Sequence, residues 1–238
     1  MKIILLTVFV LILSGCIGQT NQSQQSDEDV NVAAPEDLSL TTTDNVKITT
    51  TYYYANGTKS IILLHSLGHD KSDWKDFALE LQKKGYTALA IDLRGHGASE
   101  LNWRTFTDSD FNRMMFDVIA AGNYLKSQDK NDLSIIGSSI GANLAVLYAN
   151  TEDSKTTVLL SPGLNYRGIN IESSIRQLTV PSIIIVGEKD SYSASSVKTI
   201  SEVIDIPIKM YPTDKHGVDL LSEGDVKEVV FKWLEDFS

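Results

Sequence analysis

A single cysteine, Cys16, stands in a chain of 238 residues, which excludes an intramolecular disulfide. Cations are scarce too. The 21 Lys and Arg face 31 Asp and Glu, a formal charge of -10. Nucleic-acid binding needs clustered cations to neutralise phosphates, so that class of partner is set aside. No apolar stretch reaches the roughly 20 residues that a bilayer span requires. The run from Ile3 to Leu13 is far shorter and is interrupted by Thr7. Histidine occurs only at positions 65, 69, 96 and 216, so few residues can serve as a general base near neutral pH. There is no internal repeat. Apolar residues make up 42% of the chain, enough for one sizeable core.

Met1-Lys2 is a short basic start to the apolar run, and Leu13-Ser14-Gly15-Cys16 ends it. This resembles a prokaryotic lipoprotein signal, in which small residues precede a cysteine that becomes the lipidated first residue. The resemblance implies a signal peptide over residues 1–15 and lipidation at Cys16. The protein is then expected on the outer face of the cytoplasmic membrane or in the cell envelope, with the membrane as a partner. Residues 16–37 are mostly Gln, Asn, Ser and Asp with little apolar surface to bury, and are expected to form a flexible polar tether. A folded domain is expected over residues 38–238.

In that domain strands come first. Residues 38–43 and 46–55 are rich in Thr, Tyr and β-branched side chains, with Asp44-Asn45 as a turn. Residues 60–65 form a buried strand. Strands and helices then alternate. Helices are expected over 72–84, 108–127, 140–150, 194–204 and 223–237, with strands over 86–93, 133–137, 156–161, 182–187 and 206–211. That alternation predicts an α/β fold: a mostly parallel, twisted sheet of about eight strands, covered by helices on both faces. In such sheets ligands bind beyond the carboxyl ends of the strands. The loops after Leu64, Asp92, Gly137, Ser161, Gly187 and Tyr211 are therefore where chemistry is expected.

The stretch Gly137-Ser138-Ser139-Ile140-Gly141 joins an apolar strand to a small-residue helix. G-x-S-x-G in that setting is a nucleophile elbow, and the frame selects Ser139 over Ser138. A serine hydroxyl needs a base, and only His216 follows Ser139 in the chain. The histidine needs a carboxylate to fix its tautomer. Asp190 in Gly187-Glu188-Lys189-Asp190 is the first choice and Glu188 the second, while Asp214 and Asp219 lie close to His216 in sequence. Backbone N–H groups of Leu67 and Ile140 are the expected oxyanion donors. His65-x-x-x-His69 has the spacing of a zinc pair, but Gly68 and the preceding strand oppose a helix there, so no metal is expected. No cofactor is expected either.

From about Val46 onwards the chain resembles an α/β-hydrolase of the esterase, monoglyceride-lipase and serine-aminopeptidase kind, and its compactness resembles the dienelactone hydrolases. The residues that carry the resemblance are His65-Ser66-Leu67-Gly68 with Trp74, Asp92-Leu93-Arg94-Gly95-His96-Gly97-Ala98-Ser99, the elbow, Gly187-Glu188-Lys189-Asp190 and His216-Gly217. The resemblance implies the α/β-hydrolase fold and a Ser139–His216–Asp190 triad. It also implies structural roles for His65, Asp92 and His96. One departure is Ser66, where the family usually carries glycine. Residues 161–182 leave room for one short helix at about 172–178 and no lid domain, with Tyr166 and Arg167 near the rim. An open site suits small or soluble acyl esters. The expected activity is therefore that of a serine carboxylesterase. An aminopeptidase or amidase of the same fold, or a lipid-anchored binding module without activity, are the other readings. The sequence leaves the oligomeric state open.

Overall fold

A computed structural model describes residues 33–152 and 154–238. The expected signal peptide, Cys16 and most of the expected tether lie outside the described residues.

The first strand, β1 (Glu36–Thr41), begins two residues before the expected start of the domain. It pairs antiparallel with β2 (Lys47–Tyr53). Strand β3 (Lys59–Leu64) follows, then helix α1 (Lys75–Lys83) and strand β4 (Thr87–Ile91). Helices α2 (Asp108–Asn112) and α3 (Met115–Ser127) lead to strand β5 (Asp132–Ser138) and helix α4 (Ile140–Thr151). Next come β6 (Thr157–Leu160), the short pair β7 (Asn165–Tyr166) and β8 (Ile169–Asn170), β9 (Ser182–Gly187) and α5 (Ser191–Ser201). Strand β10 (Ile208–Tyr211) and helix α6 (Val226–Phe237) close the chain.

Eight strands make one sheet in the order β1-β2-β4-β3-β5-β6-β9-β10. β2 runs antiparallel to both of its neighbours, and from β4 to β10 all pairs are parallel. Successive side chains of a strand point to opposite faces, so a strand covered on both sides must be apolar throughout. β3 shows this directly. Ile62 and Leu64 pack with Val118, Leu125, Leu144 and Ile200 of α3, α4 and α5. Ile61 and Leu63 pack on the other face with Phe77, Leu81, Val230 and Leu234 of α1 and α6. The chain moves from β3 outward to β4 and then returns to place β5 on the other side of β3. The carboxyl ends of β3 and β5 therefore flank the point where the winding reverses, the usual place for a ligand in such sheets.

Two expectations are corrected. Residues 108–127 are two helices, not one. At Arg113 and Met114 the backbone tightens to i→i+3 hydrogen bonds, with Phe116 N–H donating to the Arg113 carbonyl and Asp117 N–H to that of Met114. This joint keeps Phe111, Met114 and Val118 in the core while Asp117 meets Arg94. Between β6 and β9 there is only a single 3-10 turn at Ile175–Gln177 instead of a helix, and the β7–β8 hairpin precedes it. No lid domain is present there.

Candidate active site

Ser139 stands between β5 and α4 with φ 56° and ψ -118°, a left-handed conformation that a side chain adopts only under constraint. The neighbouring glycines supply the constraint. A Cβ on Gly137 would lie 2.2 Å from the Gly141 carbonyl oxygen, and one on Gly141 would lie 2.5 Å from the Leu64 carbonyl oxygen. The turn can therefore close only without those side chains. The same close approach sets the loop after β3 against the first turn of α4. Ser139 N–H donates to the Leu160 carbonyl of β6 at 2.8 Å, which fixes the turn to the sheet.

Asp190 immediately precedes α5, and His216 follows β10. His216 Nδ1 and Asp190 Oδ2 are 2.6 Å apart. That bond leaves Nε2 as the free ring nitrogen, the tautomer required of a general base for a hydroxyl. The two loops are also joined through the backbone. Glu188 N–H donates to the Tyr211 carbonyl at 2.8 Å, and Lys189 N–H to that of Thr213 at 3.0 Å. A Cβ on Gly187 would lie 2.7 Å from the Thr213 carbonyl oxygen, so glycine permits this approach. Burial alone would raise the Asp190 carboxyl. Hydrogen bonding and the charge of His216, with help from Ser193 and Ser161, outweigh burial and hold it below the usual carboxylate value. Glu188, Asp214 and Asp219 are exposed, and the carboxylate on the His216 ring is that of Asp190.

Beneath these loops lies a layer of buried hydroxyls. Ser138, fully buried, bonds Ser66 at 2.6 Å and accepts from Val218 N–H at 3.0 Å. Ser161 accepts from Gly217 N–H at 3.0 Å. Gly217 has φ +59°, and a Cβ there would lie 2.1 Å from Ser138 Oγ and 2.8 Å from Ser66 Oγ. The hydroxyl at position 66 thus ties the loop after β3 to the strand below the elbow and, through Ser138, to the histidine loop. Leu67 sits in the turn closed by His69 N–H and the Ser66 carbonyl, at 3.2 Å. Ile140 is the first residue of α4, where N–H groups have no intrahelical acceptor.

His65 and His96 are buried in the scaffold. His65 Nε2 accepts from Leu93 N–H at 3.0 Å, so Nδ1 carries the proton and donates to the Ser66 carbonyl at 2.7 Å. Burial pushes the His65 imidazole down to about 4. His96 stacks on Trp103, with ring centroids 5.4 Å apart and 6° between planes. Asp92 accepts from Lys71 N–H, Ala98 N–H and the Thr49 hydroxyl at 2.7, 3.0 and 2.7 Å. A side chain on Gly97 would collide with that carboxylate.

Tyr166 lies deeper than the rim position expected of it. Its hydroxyl bonds Ser193 Oγ at 2.9 Å and the Ser161 carbonyl at 3.3 Å, and its ring meets that of His216 edge-on at 6.5 Å. The hairpin that carries it turns on Arg167 and Gly168, both at positive φ. The glycine in second place is a hairpin signal, but arginine in first place is not, so the turn leaves a weak trace in the sequence.

Fold and site together define a hydrolase. A family model described as "Alpha/beta hydrolase family" matches residues 61–201, and the chain belongs to that family. A probable 2-oxo-3-(5-oxofuran-2-ylidene)propanoate lactonase of Bradyrhizobium sp is 28% identical over 139 residues, 52% of this chain and 56% of that relative. The match thus spans little more than half the length of that protein. An esterase of Pyrococcus furiosus superposes with a TM-score of 0.74 at 22% identity, covering 86% of this chain and 91% of that one. A dienelactone hydrolase of Anabaena variabilis gives a TM-score of 0.69 at 18% identity, covering 86% and 99%. At these identities the two solved structures speak for the fold.

Proposed function

We propose that the protein is a serine hydrolase acting through an acyl-enzyme, a carboxylesterase on small or soluble acyl esters. In this reading Ser139 Oγ attacks the acyl carbonyl, and His216 Nε2 takes the serine proton. The carbonyl electron pair moves onto oxygen, where the N–H groups of Leu67 and Ile140 receive it. The tetrahedral intermediate collapses, and the departing alkoxide takes the proton from His216. Water then repeats the sequence, with His216 as its base, and releases the acid. Asp190 keeps His216 in the productive tautomer and stabilises the imidazolium.

The observation that carries this reading is the 2.6 Å Asp190–His216 contact on the same sheet edge as the strained Ser139. The lack of a lid domain between β6 and β9 favours compact substrates. A lactone is an ester closed into a ring, so the lactonase named above adds cyclic esters to the candidates. A fluorophosphonate probe is expected to label the protein at Ser139. Ser139→Ala is expected to lower p-nitrophenyl acetate turnover by roughly 10⁴-fold or more while leaving the fold intact. Wild-type protein that is neither labelled nor active would overturn the reading.

A further inference from the structure

One buried hydroxyl pair lies within two residues of the oxyanion donor, the nucleophile and the base. Ser66 Oγ and Ser138 Oγ are 2.6 Å apart, and Ser138 Oγ accepts from Val218 N–H at 3.0 Å. Ser66 adjoins Leu67, Ser138 adjoins Ser139, and Val218 lies two residues beyond His216. Both serines are buried, so little water competes for the bond. The backbone ladder between β3 and β5 ends at Leu64 and Gly137. The hydroxyl pair carries the connection past that point, to where the chemistry is.

The peptide between Ser66 and Leu67 is what this bond steadies. Its carbonyl accepts from the His65 ring at 2.7 Å and from His69 N–H at 3.2 Å. The second bond closes the turn Ser66–His69, with Gly68 at φ +80° in the third position, where a type II turn needs glycine. His65 is wholly buried, so the carbonyl points into the scaffold. In a trans peptide the N–H points to the side opposite the C=O. The Leu67 N–H therefore points away from His65 and out of the scaffold. Those two bonds set how the peptide is turned, but both donors belong to its own loop. The bond from Ser66 to Ser138 crosses to the strand that carries the nucleophile.

We propose that Ser66 is a positioning residue for the reaction, setting through Ser138 the spacing between the Leu67 N–H, the Ser139 hydroxyl and His216. The inference rests on the serine-hydrolase reading above. Ser66 touches no reacting atom and gives up no proton. In acylation and again in deacylation the carbonyl oxygen becomes an anion, and it must then lie within hydrogen-bond reach of the Leu67 N–H. The neutral carbonyl of the bound substrate demands less of that donor. A slack loop therefore weakens the transition state more than it weakens substrate binding. Glycine, the usual residue of the family at position 66, has no side chain with which to make the tie.

Ser66→Gly tests this in the full chain. Both kcat and kcat/KM for p-nitrophenyl acetate are expected to fall roughly 10-fold, with KM within about twofold. Affinity for a short alkyl trifluoromethyl ketone, which serine attacks to give a stable oxyanion, is expected to fall by the same factor. A merely structural hydroxyl would lower the melting temperature and leave kcat, measured well below it, and the ketone affinity at their wild-type values. That result would overturn the proposal. Ser138→Ala cuts the same tie from the other side and decides if Ser66→Gly does not fold. It is expected to lower kcat with KM retained, and a wild-type kcat there overturns the proposal. Where both fold, the double variant is expected to lose no more than the larger single loss, whereas losses that multiply would overturn the shared tie. Wild-type protein that resists a fluorophosphonate would sink the serine-hydrolase reading itself. Labelled wild type matched in kcat by Ser66→Gly would sink the positioning role alone.

Discussion

Two buried polar regions lie along the same edge of the sheet and are built from different materials. Behind β4, Arg94 is almost fully buried between two carboxylates. Its Nε donates to Asp117 Oδ1 at 2.9 Å, and its Nη1 and Nη2 donate to the two oxygens of Asp44 at 2.6 and 2.8 Å. Around Ser139 the buried polar layer is built largely from hydroxyls: Ser66, Ser138, Ser161 and Ser193, with Tyr166 beside them. Fixed charges lock a scaffold, because breaking one pair strands the other partner in a medium of low dielectric. Hydroxyls both donate and accept, and they rotate, so they can brace reacting groups without imposing a charge on them. Rigidity is placed where the loops are held, and neutral adaptability where charge has to move.

The contrast can be broken in three places. The largest effect is expected from Arg94→Met, which leaves Asp44 and Asp117 without their cation. Loss of a buried pair's partner costs about 3–5 kcal/mol, to be read by chemical denaturation. A loss under about 1 kcal/mol would show that the charges do not lock the scaffold.

The next effect is acid sensitivity at His65, which holds the loop after β3 from the scaffold side through the Ser66 carbonyl. Its folded value of about 4 lies below the ordinary 6.5. The unfolded chain therefore takes up a proton at pH values where the folded protein does not. This histidine's contribution is fully present above about pH 6.5, is lost as pH falls, and is gone below about 4. The difference amounts to about 3 kcal/mol. Denaturation midpoints measured between pH 7 and pH 4 should show the loss, and His65→Gln should flatten that part of the profile.

The smallest effect is expected in the hydroxyl layer. Ser138→Ala removes the acceptor of Val218 N–H and the partner of Ser66, and should cost about 1–3 kcal/mol. If it costs as much as Arg94→Met, the two regions do not differ in the way described.

Much of this was legible in the chain. Gly137 and Gly141 mark the elbow because a close approach of backbones demands them, and that demand shows in any one sequence. The Asp190–His216 contact follows from strand order, since both residues sit in loops at the carboxyl ends of neighbouring strands β9 and β10. The roles of Ser66, Ser138 and Tyr166 were not legible. Serine is a common loop residue, and nothing in its spacing shows that two hydroxyls 72 positions apart will meet at 2.6 Å. The sequence alone puts Tyr166 near the rim because the hairpin that carries it is poorly marked. The break at residues 113–114 was hidden because its apolar spacing suits one continuous helix. It arises from tertiary contacts, with Asp117 held by Arg94 while Phe111 and Met114 stay in the core.

Gly217 has a consequence beyond the geometry of its loop. The space that its side chain would fill is occupied by the meeting point of two hydroxyls, Ser138 and Ser66. Positions 66, 138 and 217 therefore form one unit of variation. A β-carbon at 217 fits only if both serines give up their oxygens. A relative that carries alanine at 217 would then be expected to carry glycine or alanine at both of the others. Three sites far apart in the chain are thus expected to change together.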